Sequence, residues 1–292
     1  MVKHICMIVA CFCLAITPIA NAIAEDTEQG SLVPEYLQGI SVTVKAGGAQ
    51  GSGTIVSRID EDGYVISFVW TAAHVIDELR HARKVVTPDG STAILVEFRD
   101  PRIVAERYQD GRRVGEQTLD CKVIKYSDAD YGEDLALLMV RLRSAYTVST
   151  SAKFPEDSGS YIPQIGSELS HCGSLLGQLG SNSYTTGVLS QTGRLLDGEG
   201  ASSSVFDQVT SVAFPGSSGG GVYLRGDGTY IGMLTRGYNM QGFNFIVPVR
   251  RMYSWAISAD IGWAIDSTIE MPTMKDILLI PVEDAGAVPY GN

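Results

Sequence analysis

The sequence predicts an all-β protein made of two strand-rich halves, and three observations support this. Short runs of β-branched and aromatic residues recur up to about residue 250. Glycine accounts for 32 of the 292 residues but proline for only 11, which favours many turns over long helices because glycine adopts turn conformations freely. A stretch rich in Ser, Thr, Gly and Pro, residues 146–161, separates two series of strands and is predicted to be a linker.

The first 24 residues are predicted to be a signal peptide. A basic start at Lys3 precedes the apolar run Ile5–Ala20, and small residues that suit cleavage continue to Ala24. The alternatives are an uncleaved membrane anchor, which the small residues disfavour, and a lipoprotein box at Ile8–Cys11, which lies early for one. No other stretch approaches the ~20 apolar residues of a membrane span. We therefore expect a secreted or periplasmic protein with no stable membrane insertion after cleavage.

Residues 25–145 form the first predicted half. Its predicted strands are Ile40–Val44, Gly53–Ser57, Tyr64–Trp70, Ala93–Phe98 and Leu135–Leu142. Between the last two, Asp110-Gly111 within residues 102–117 predicts a protruding hairpin, which either lines a cleft or is a surface insertion.

Residues 162–249 form the second predicted half. Its predicted strands are Glu168–Cys172, Tyr184–Gln191, Val205–Phe214, Val222–Leu224, Tyr230–Arg236 and Phe243–Val247. Apolar residues then recur at helical spacing from Val249, which predicts a closing helix of about 12 to 16 residues. Residues 250–292 comprise this helix and a tail with a strand-like run, Ile277–Val282.

Charge and motif content exclude several classes of function. The net charge of −11 disfavours nucleic acid and anionic membranes as partners. No glycine-rich phosphate loop precedes a helix, so no nucleotide cofactor is expected. The step His171-Cys172 lacks a second ligand pair, so no metal is expected either. Cys121 and Cys172 remain after signal cleavage, and we expect two separate buried thiols rather than a disulfide, since they lie in different halves.

Three segments carry candidate chemistry in the order His74, Asp134 and Ser218. His74 follows an apolar strand, Asp134 opens another, and Ser218 lies in the glycine-rich run 216–221. Each signal alone has a structural explanation. Together they supply a serine nucleophile that needs a base, a histidine that takes its proton, and a carboxylate that fixes the imidazole tautomer. This chain order is one of the few known for such a triad.

These segments resemble the trypsin/chymotrypsin-like serine proteases, and among them the bacterial HtrA-type and trypsin-like peptidase group without a PDZ domain. Thr71–His74 is similar to the histidine motif of that family, Asp134–Leu138 to its aspartate strand, and Gly216–Gly220 to its nucleophile loop. Supporting similarities occur at Gly51–Val56 and Thr186–Ser190. The resemblance covers roughly residues 38–250.

The resemblance implies two packed antiparallel six-stranded barrels, a C-terminal helix and an active site between the barrels. It implies that Ser218 is the nucleophile, His74 the base and Asp134 its orienting group, with the main-chain N–H groups of Gly216 and Ser218 as the oxyanion hole. Ser217 stands where digestive members have an activating aspartate, so we expect no zymogen switch of that type.

The substrate pocket implied by the resemblance consists of Val212, Leu234, Thr235 and Arg236. Val212 replaces the aspartate that selects Arg or Lys, so an apolar side chain is favoured at the cleaved bond, although Arg236 would favour an acidic one if it points inward. The sequence thus predicts a secreted or periplasmic serine endopeptidase acting on polypeptides through an acyl-enzyme, with no cofactor. A catalytically silent binding module and an esterase with the same triad are the alternatives, and the oligomeric state is open.

Overall fold

A computed structural model describes residues 33–109, 112–141, 151–197, 203–237 and 242–283. The predicted signal peptide, residues 1–24, lies outside these ranges, as does Asp110-Gly111. Within them, no helix is long and apolar enough to cross a membrane.

The first half is a closed six-stranded barrel that follows a helix, α1, over residues 33–40. Its strands pair antiparallel in the order β1-β2-β3-β8-β7-β6. A separate two-stranded sheet, β4-β5, is inserted after the short helix α2. The elements are β1 (Ser41–Ala46), β2 (Ala49–Ile59), β3 (Val65–Thr71), α2 (Ala73–Ile76), β4 (Arg80–Val86), β5 (Thr92–Phe98), β6 (Arg102–Gln109), β7 (Arg112–Ser127) and β8 (Leu135–Val140).

The second half is another closed antiparallel barrel, in the order β10-β11-β14-β13-β12-β9. Its strands, with the helices that follow them, are β9 (Glu168–Leu175), β10 (Gly180–Asp197), β11 (Ser203–Val209), β12 (Gly221–Leu224), β13 (Tyr230–Gly237), β14 (Asn244–Pro248), α3 (Val249–Ser258) and α4 (Met274–Ile277). The predicted fold class, all-β with two six-stranded barrels and a C-terminal helix, is confirmed.

Helix α3 leaves the second barrel and packs its aromatic residues against the first. The rings of Trp255 and Trp70 meet edge to face at 6.0 Å, and Trp263, just beyond the helix, meets Phe68 at 4.7 Å. The Trp70 indole N–H donates to the main-chain oxygen of Ala264 at 3.2 Å. Because buried aromatic residues contribute large apolar area, this contact holds the two barrels in a fixed arrangement around the cleft between them.

Several local predictions differ from the structure, and helix α3 has 10 residues rather than the predicted 12 to 16. Residues 102–109 and 112–117 are not an insertion, because they belong to β6 and β7, two strands of the first barrel. The predicted strand Ala93–Phe98 pairs with β4 outside the barrel. In the tail, Ile277–Val282 is not a strand, and the chain makes only a single bridge there, between Tyr126 and Glu283.

Candidate functional site

Two neighbouring strands of the first barrel place His74 beside Asp134. β3 and β8 pair antiparallel with Thr71 opposite Ala136. His74 lies in α2, which begins just after β3 ends, and Asp134 immediately precedes β8. The paired strand ends therefore bring together two side chains that are 60 positions apart in the sequence.

Asp134 is buried and accepts hydrogen bonds from both barrels. His74 Nδ1 lies 3.0 Å from each carboxylate oxygen, and the His74 main-chain N–H donates to Oδ1 at 3.1 Å. The hydroxyl of Thr235, in β13, donates to Oδ2. Asp134 itself has a φ of 55°, in the left-handed region that aspartate tolerates better than most residues. The carboxylate thus favours a proton on Nδ1 of His74 and leaves Nε2 free to accept one.

The charges of this pair set their protonation. Burial alone would raise the pKa of Asp134, but the charge and hydrogen bonds of His74 and the Thr235 hydroxyl lower it below its usual value. Burial alone would likewise lower the pKa of His74, whereas the charge and hydrogen bond of Asp134 raise it above 6.5, against a smaller lowering by Arg236. Asp134 is therefore a carboxylate that stabilises the protonated imidazole.

The predicted nucleophile loop, Gly216–Gly220, depends on glycine at two positions. Gly216 has a φ of +97° and Gly219 a φ of +88°, both in the region that L side chains rarely adopt. A Cβ on Gly219 would also lie 2.1 Å from the main-chain oxygen of Ser52. Among the described residues, the N–H groups of Gly216 and Ser218 donate to no acceptor. Two free N–H groups flanking Ser217 are what an oxyanion site requires.

Ser218 lies between the two barrels, close to the triad partners that the sequence predicts. Its Oγ donates to the main-chain oxygen of Thr235 at 3.4 Å, and its main-chain oxygen accepts from Ser52 N at 2.7 Å. Within the described part of the chain, no hydrogen bond joins Ser218 Oγ to His74. Hydrogen bonds between nucleophile and base are commonly loose without substrate, so the arrangement remains compatible with proton transfer.

The four predicted pocket residues occupy different surroundings. Val212 is half-buried, and Leu234 is buried in an apolar cluster of the second barrel. Thr235 contacts the triad on both sides, through its hydroxyl to Asp134 and its carbonyl to Ser218, a role that sequence reasoning missed.

Arg236 faces the loop before Asp134. Its Nη2 donates to the Ala129 carbonyl at 3.3 Å, and its guanidinium lies 5.5 Å from the centre of the Phe206 ring. These residues line a small pocket together with Asp134. Arg236 therefore lies on the Asp134 side of the site, where its charge lowers the pKa of His74.

Replacing Thr235 by valine tests the contact with Asp134. The variant keeps the shape of the side chain but removes a donor to a buried carboxylate, which is worth roughly 1.5–3 kcal/mol. For the peptidase activity that the sequence predicts, we expect kcat/KM to fall at least about 10-fold, the equivalent of ~1.4 kcal/mol. Thr235→Ser retains the hydroxyl and should keep most of the activity. Equal activity of the valine and serine variants would contradict this role.

Behind the nucleophile loop lies a second histidine, His171, which is fully buried. Its Nδ1 lies 3.0 Å from the main-chain oxygen of Gly221, and Nε2 has no hydrogen-bond partner among the described residues. Burial lowers the pKa of His171 to about 4, although the bond to Gly221 opposes this. At neutral pH His171 is therefore uncharged in the folded protein, and its Nδ1–H donates to the Gly221 carbonyl.

The buried His171 predicts loss of stability in acid. The unfolded chain binds a proton at this histidine below its usual pKa of 6.5, whereas the folded protein resists it down to about 4. Its contribution to the free energy of unfolding is thus fully present above about pH 6.5 and is lost as the pH falls through 4. The total loss is roughly 3 kcal/mol. Urea unfolding across this range should show a smaller loss for His171→Asn, whose amide can still donate to Gly221. Parallel losses in both proteins would contradict the assignment.

Among the described residues, the cysteines form no disulfide and the possible ligands form no metal site. Cys121 and Cys172 are free and buried, as favoured from the sequence, and burial raises the pKa of each thiol to about 12. In the ranges that the structure describes, no three His, Cys, Asp or Glu side chains are grouped closely enough to hold a metal ion.

Comparison with known proteins identifies a family and a similar fold. A family model described as a trypsin-like peptidase domain matches residues 51–233. No curated protein matches the chain. Among solved structures, a serine endoprotease from Yersinia pestis is similar with a TM-score of 0.53 and 18% identity, over 80% of this chain and 66% of that protein. Deg5 is similar with a TM-score of 0.55 and 20% identity, over 82% of this chain and 98% of its own.

Proposed function

The chain belongs to the trypsin-like peptidase family, and we propose that it is a serine endopeptidase that uses Ser218, His74 and Asp134. The observation that carries this proposal is the buried Asp134 carboxylate, 3.0 Å from His74 Nδ1, beside a serine whose loop presents two free N–H groups. A structural histidine would not need a buried, ionised partner in an open cleft, because burying a carboxylate costs free energy unless it is paired.

In the proposed reaction, Ser218 Oγ attacks the carbonyl carbon of the substrate while its proton passes to His74 Nε2. The carbonyl oxygen becomes an oxyanion that accepts hydrogen bonds from the N–H groups of Gly216 and Ser218. His74 then gives its proton to the leaving amine, and an acyl-enzyme remains on Ser218. Water, deprotonated by His74, hydrolyses this ester and regenerates the serine. Asp134 remains ionised throughout and stabilises the imidazolium.

The proposed substrates are polypeptides with an apolar residue before the cleaved bond. Val212 carries no charge that would select Arg or Lys, whereas Leu234, also predicted for the pocket, is buried in the apolar cluster of the second barrel and offers a substrate almost no surface. A secreted or periplasmic location is also part of the proposal and rests on the sequence of residues 1–24.

A peptide-library digest with identification of the new termini tests this function. We expect cleavage within peptides, most often after apolar residues, by the purified protein and not by Ser218→Ala. Cleavage of simple esters but of no peptide would instead support an esterase. A folded protein that cleaves neither would support the catalytically silent module and contradict the proposal.

The protonation of His74 predicts the pH dependence of this activity. Only the neutral imidazole can accept the proton of Ser218, and the pKa of His74 is raised above 6.5, mainly by Asp134 against the effect of burial. We therefore expect kcat/KM to be lost at low pH and to rise with a midpoint above 6.5. A pH profile of kcat/KM on a neutral peptide measures this midpoint directly. A midpoint below 6.5 would contradict the strong His74–Asp134 interaction.

A further inference from the structure

Ser52 connects the first barrel to the nucleophile loop, and each of its polar atoms makes a hydrogen bond. It lies in β2 and is fully buried. Its main-chain N–H donates to Ser218 O at 2.7 Å, and its carbonyl accepts from the Thr71 hydroxyl at 2.7 Å. Its side-chain oxygen accepts from Ser174 N at 2.7 Å and donates to Gly216 O at 2.7 Å.

The direction of the last hydrogen bond follows from its partners. A serine hydroxyl has one proton, and the main-chain N–H of Ser174 already supplies the proton of its own bond. The Ser52 proton therefore points to the Gly216 carbonyl, which can only accept. The hydroxyl thus donates one hydrogen bond and accepts one, and both of its partners belong to the second barrel.

These contacts hold Gly216 from both sides. The preceding peptide is fixed because Pro215 O accepts from Leu176 N at 2.7 Å, and the following peptide because Gly216 O accepts from Ser52. A peptide is planar, so its carbonyl and N–H point in opposite directions. Fixing Pro215 O therefore aims the Gly216 N–H away from Leu176. The Gly216–Ser217 peptide is held at its carbonyl by Ser52 and at its N–H by the bond from Ser217 N to Phe214 O at 2.9 Å, which limits rotation about the bonds of the glycine.

Glycine makes this restraint necessary. Gly216 can adopt many backbone conformations, and its N–H serves the oxyanion only in one of them. The neighbouring Ser217 does not reach outside the loop, since its Oγ accepts from Phe214 N at 3.1 Å. Restraint of the Gly216 carbonyl from the other barrel thus comes from Ser52.

We propose that Ser52 is a positioning residue that keeps the Gly216 N–H in the oxyanion-binding orientation. This inference rests on the proposed function. It predicts that loss of the hydroxyl weakens binding of the transition state more than binding of the substrate, because substrate binding does not depend on that N–H to the same degree.

The test compares Ser52→Ala with a matched control, Thr43→Val. Thr43 Oγ1 makes a buried inter-barrel hydrogen bond to Ser174 Oγ at 2.6 Å, and among the described residues no hydrogen bond joins Thr43 to Gly216. Kinetics on one peptide substrate, with active sites counted by titration, give kcat and KM for each variant. The affinity for a peptide boronate, which forms a tetrahedral adduct on serine, gives a second measure of the oxyanion site.

We expect Ser52→Ala to lower kcat about 10- to 100-fold with little change in KM, and to weaken the boronate by a similar factor. Thr43→Val should keep kcat within about 2-fold, even where its melting temperature falls. Ser52→Cys places a weak donor of similar size at this position, and its kcat should lie between those of the wild type and Ser52→Ala. If Ser52→Ala does not fold, the kcat of Ser52→Cys is compared with that of Thr43→Val instead.

Equal kcat in Ser52→Ala and Thr43→Val, or a change in KM alone, would overturn the role of Ser52 while leaving the peptidase intact. A wild type that neither hydrolyses peptides nor binds the boronate would overturn the proposed function and this inference with it.

Discussion

Asp134→Asn is expected to lower kcat/KM for peptide hydrolysis by about four orders of magnitude. Three donors converge on this carboxylate, namely the two N–H groups of His74 and the Thr235 hydroxyl. An asparagine presents one oxygen and one NH₂ group, so at least one donor faces another donor. The imidazole is then held in the wrong tautomer, and the negative charge that stabilises its protonated form is gone.

Steady-state kinetics on one peptide substrate measure this loss, and Glu156→Gln serves as a control because it removes one exposed negative charge outside the site. The control should differ from wild type by less than about 2-fold. In Asp134→Asn the His74 pKa should also fall, since the charge that raises it is removed. A loss of less than about 10-fold would contradict the assigned role of Asp134.

Ser218→Ala carries the largest expected effect, a reduction of kcat by about 10⁶-fold. The hydroxyl forms the covalent bond to the substrate, and no other serine of the loop can replace it, because Ser217 is buried and its Oγ is bonded to Phe214 N. His74→Ala should be nearly as inactive, because the serine then has no base.

The double variant of Ser218 and His74 provides the control for this expectation. Residues that act as one unit are not additive, so the double variant should be no less active than Ser218→Ala alone. Burst kinetics and turnover with an excess of enzyme measure the residual rates. Retention of more than about 1% of the wild-type kcat by Ser218→Ala would contradict a serine nucleophile at this position.

Much of the fold could be predicted because apolar runs and turns mark the barrel strands directly. β3, β8 and β13 carry nearly continuous apolar residues, and the predicted strands Tyr64–Trp70 and Tyr230–Arg236 overlap the observed ones. β4 was missed because it is polar and exposed, with four charged or histidine side chains between Arg80 and Lys84. Its strand structure comes from pairing with β5, which a local pattern does not reveal.

The C-terminal part of the described chain is harder to predict for a different reason. The apolar run Ile277–Val282 has the composition of a strand, but Thr273 caps a short helix there by accepting from Asp276 N. Helix α3 is shorter than expected because its C-cap residue, Ala259, and the left-handed Asp260 end it. Capping and helix termination depend on local hydrogen bonds and backbone conformation, which the spacing of hydrophobic residues does not predict.

For the site, the motifs predicted the residue types but not their long-range partners. Thr235 contacts Asp134 across 101 positions, and Ser52 contacts Gly216 across 164. Such pairs form only when the two barrels close on each other. Their residue types, a threonine on a strand and a serine between two glycines, fit equally well with ordinary structural roles.

The central claim is that Ser218 is a nucleophile activated by His74 and Asp134, and covalent labelling with a fluorophosphonate probe tests it most directly. Peptide mapping of the labelled protein should place one probe per molecule on Ser218, with no label on Ser218→Ala and greatly slowed labelling of His74→Ala. A folded wild-type protein that remains unlabelled, or that carries the probe on another residue, would contradict the claim.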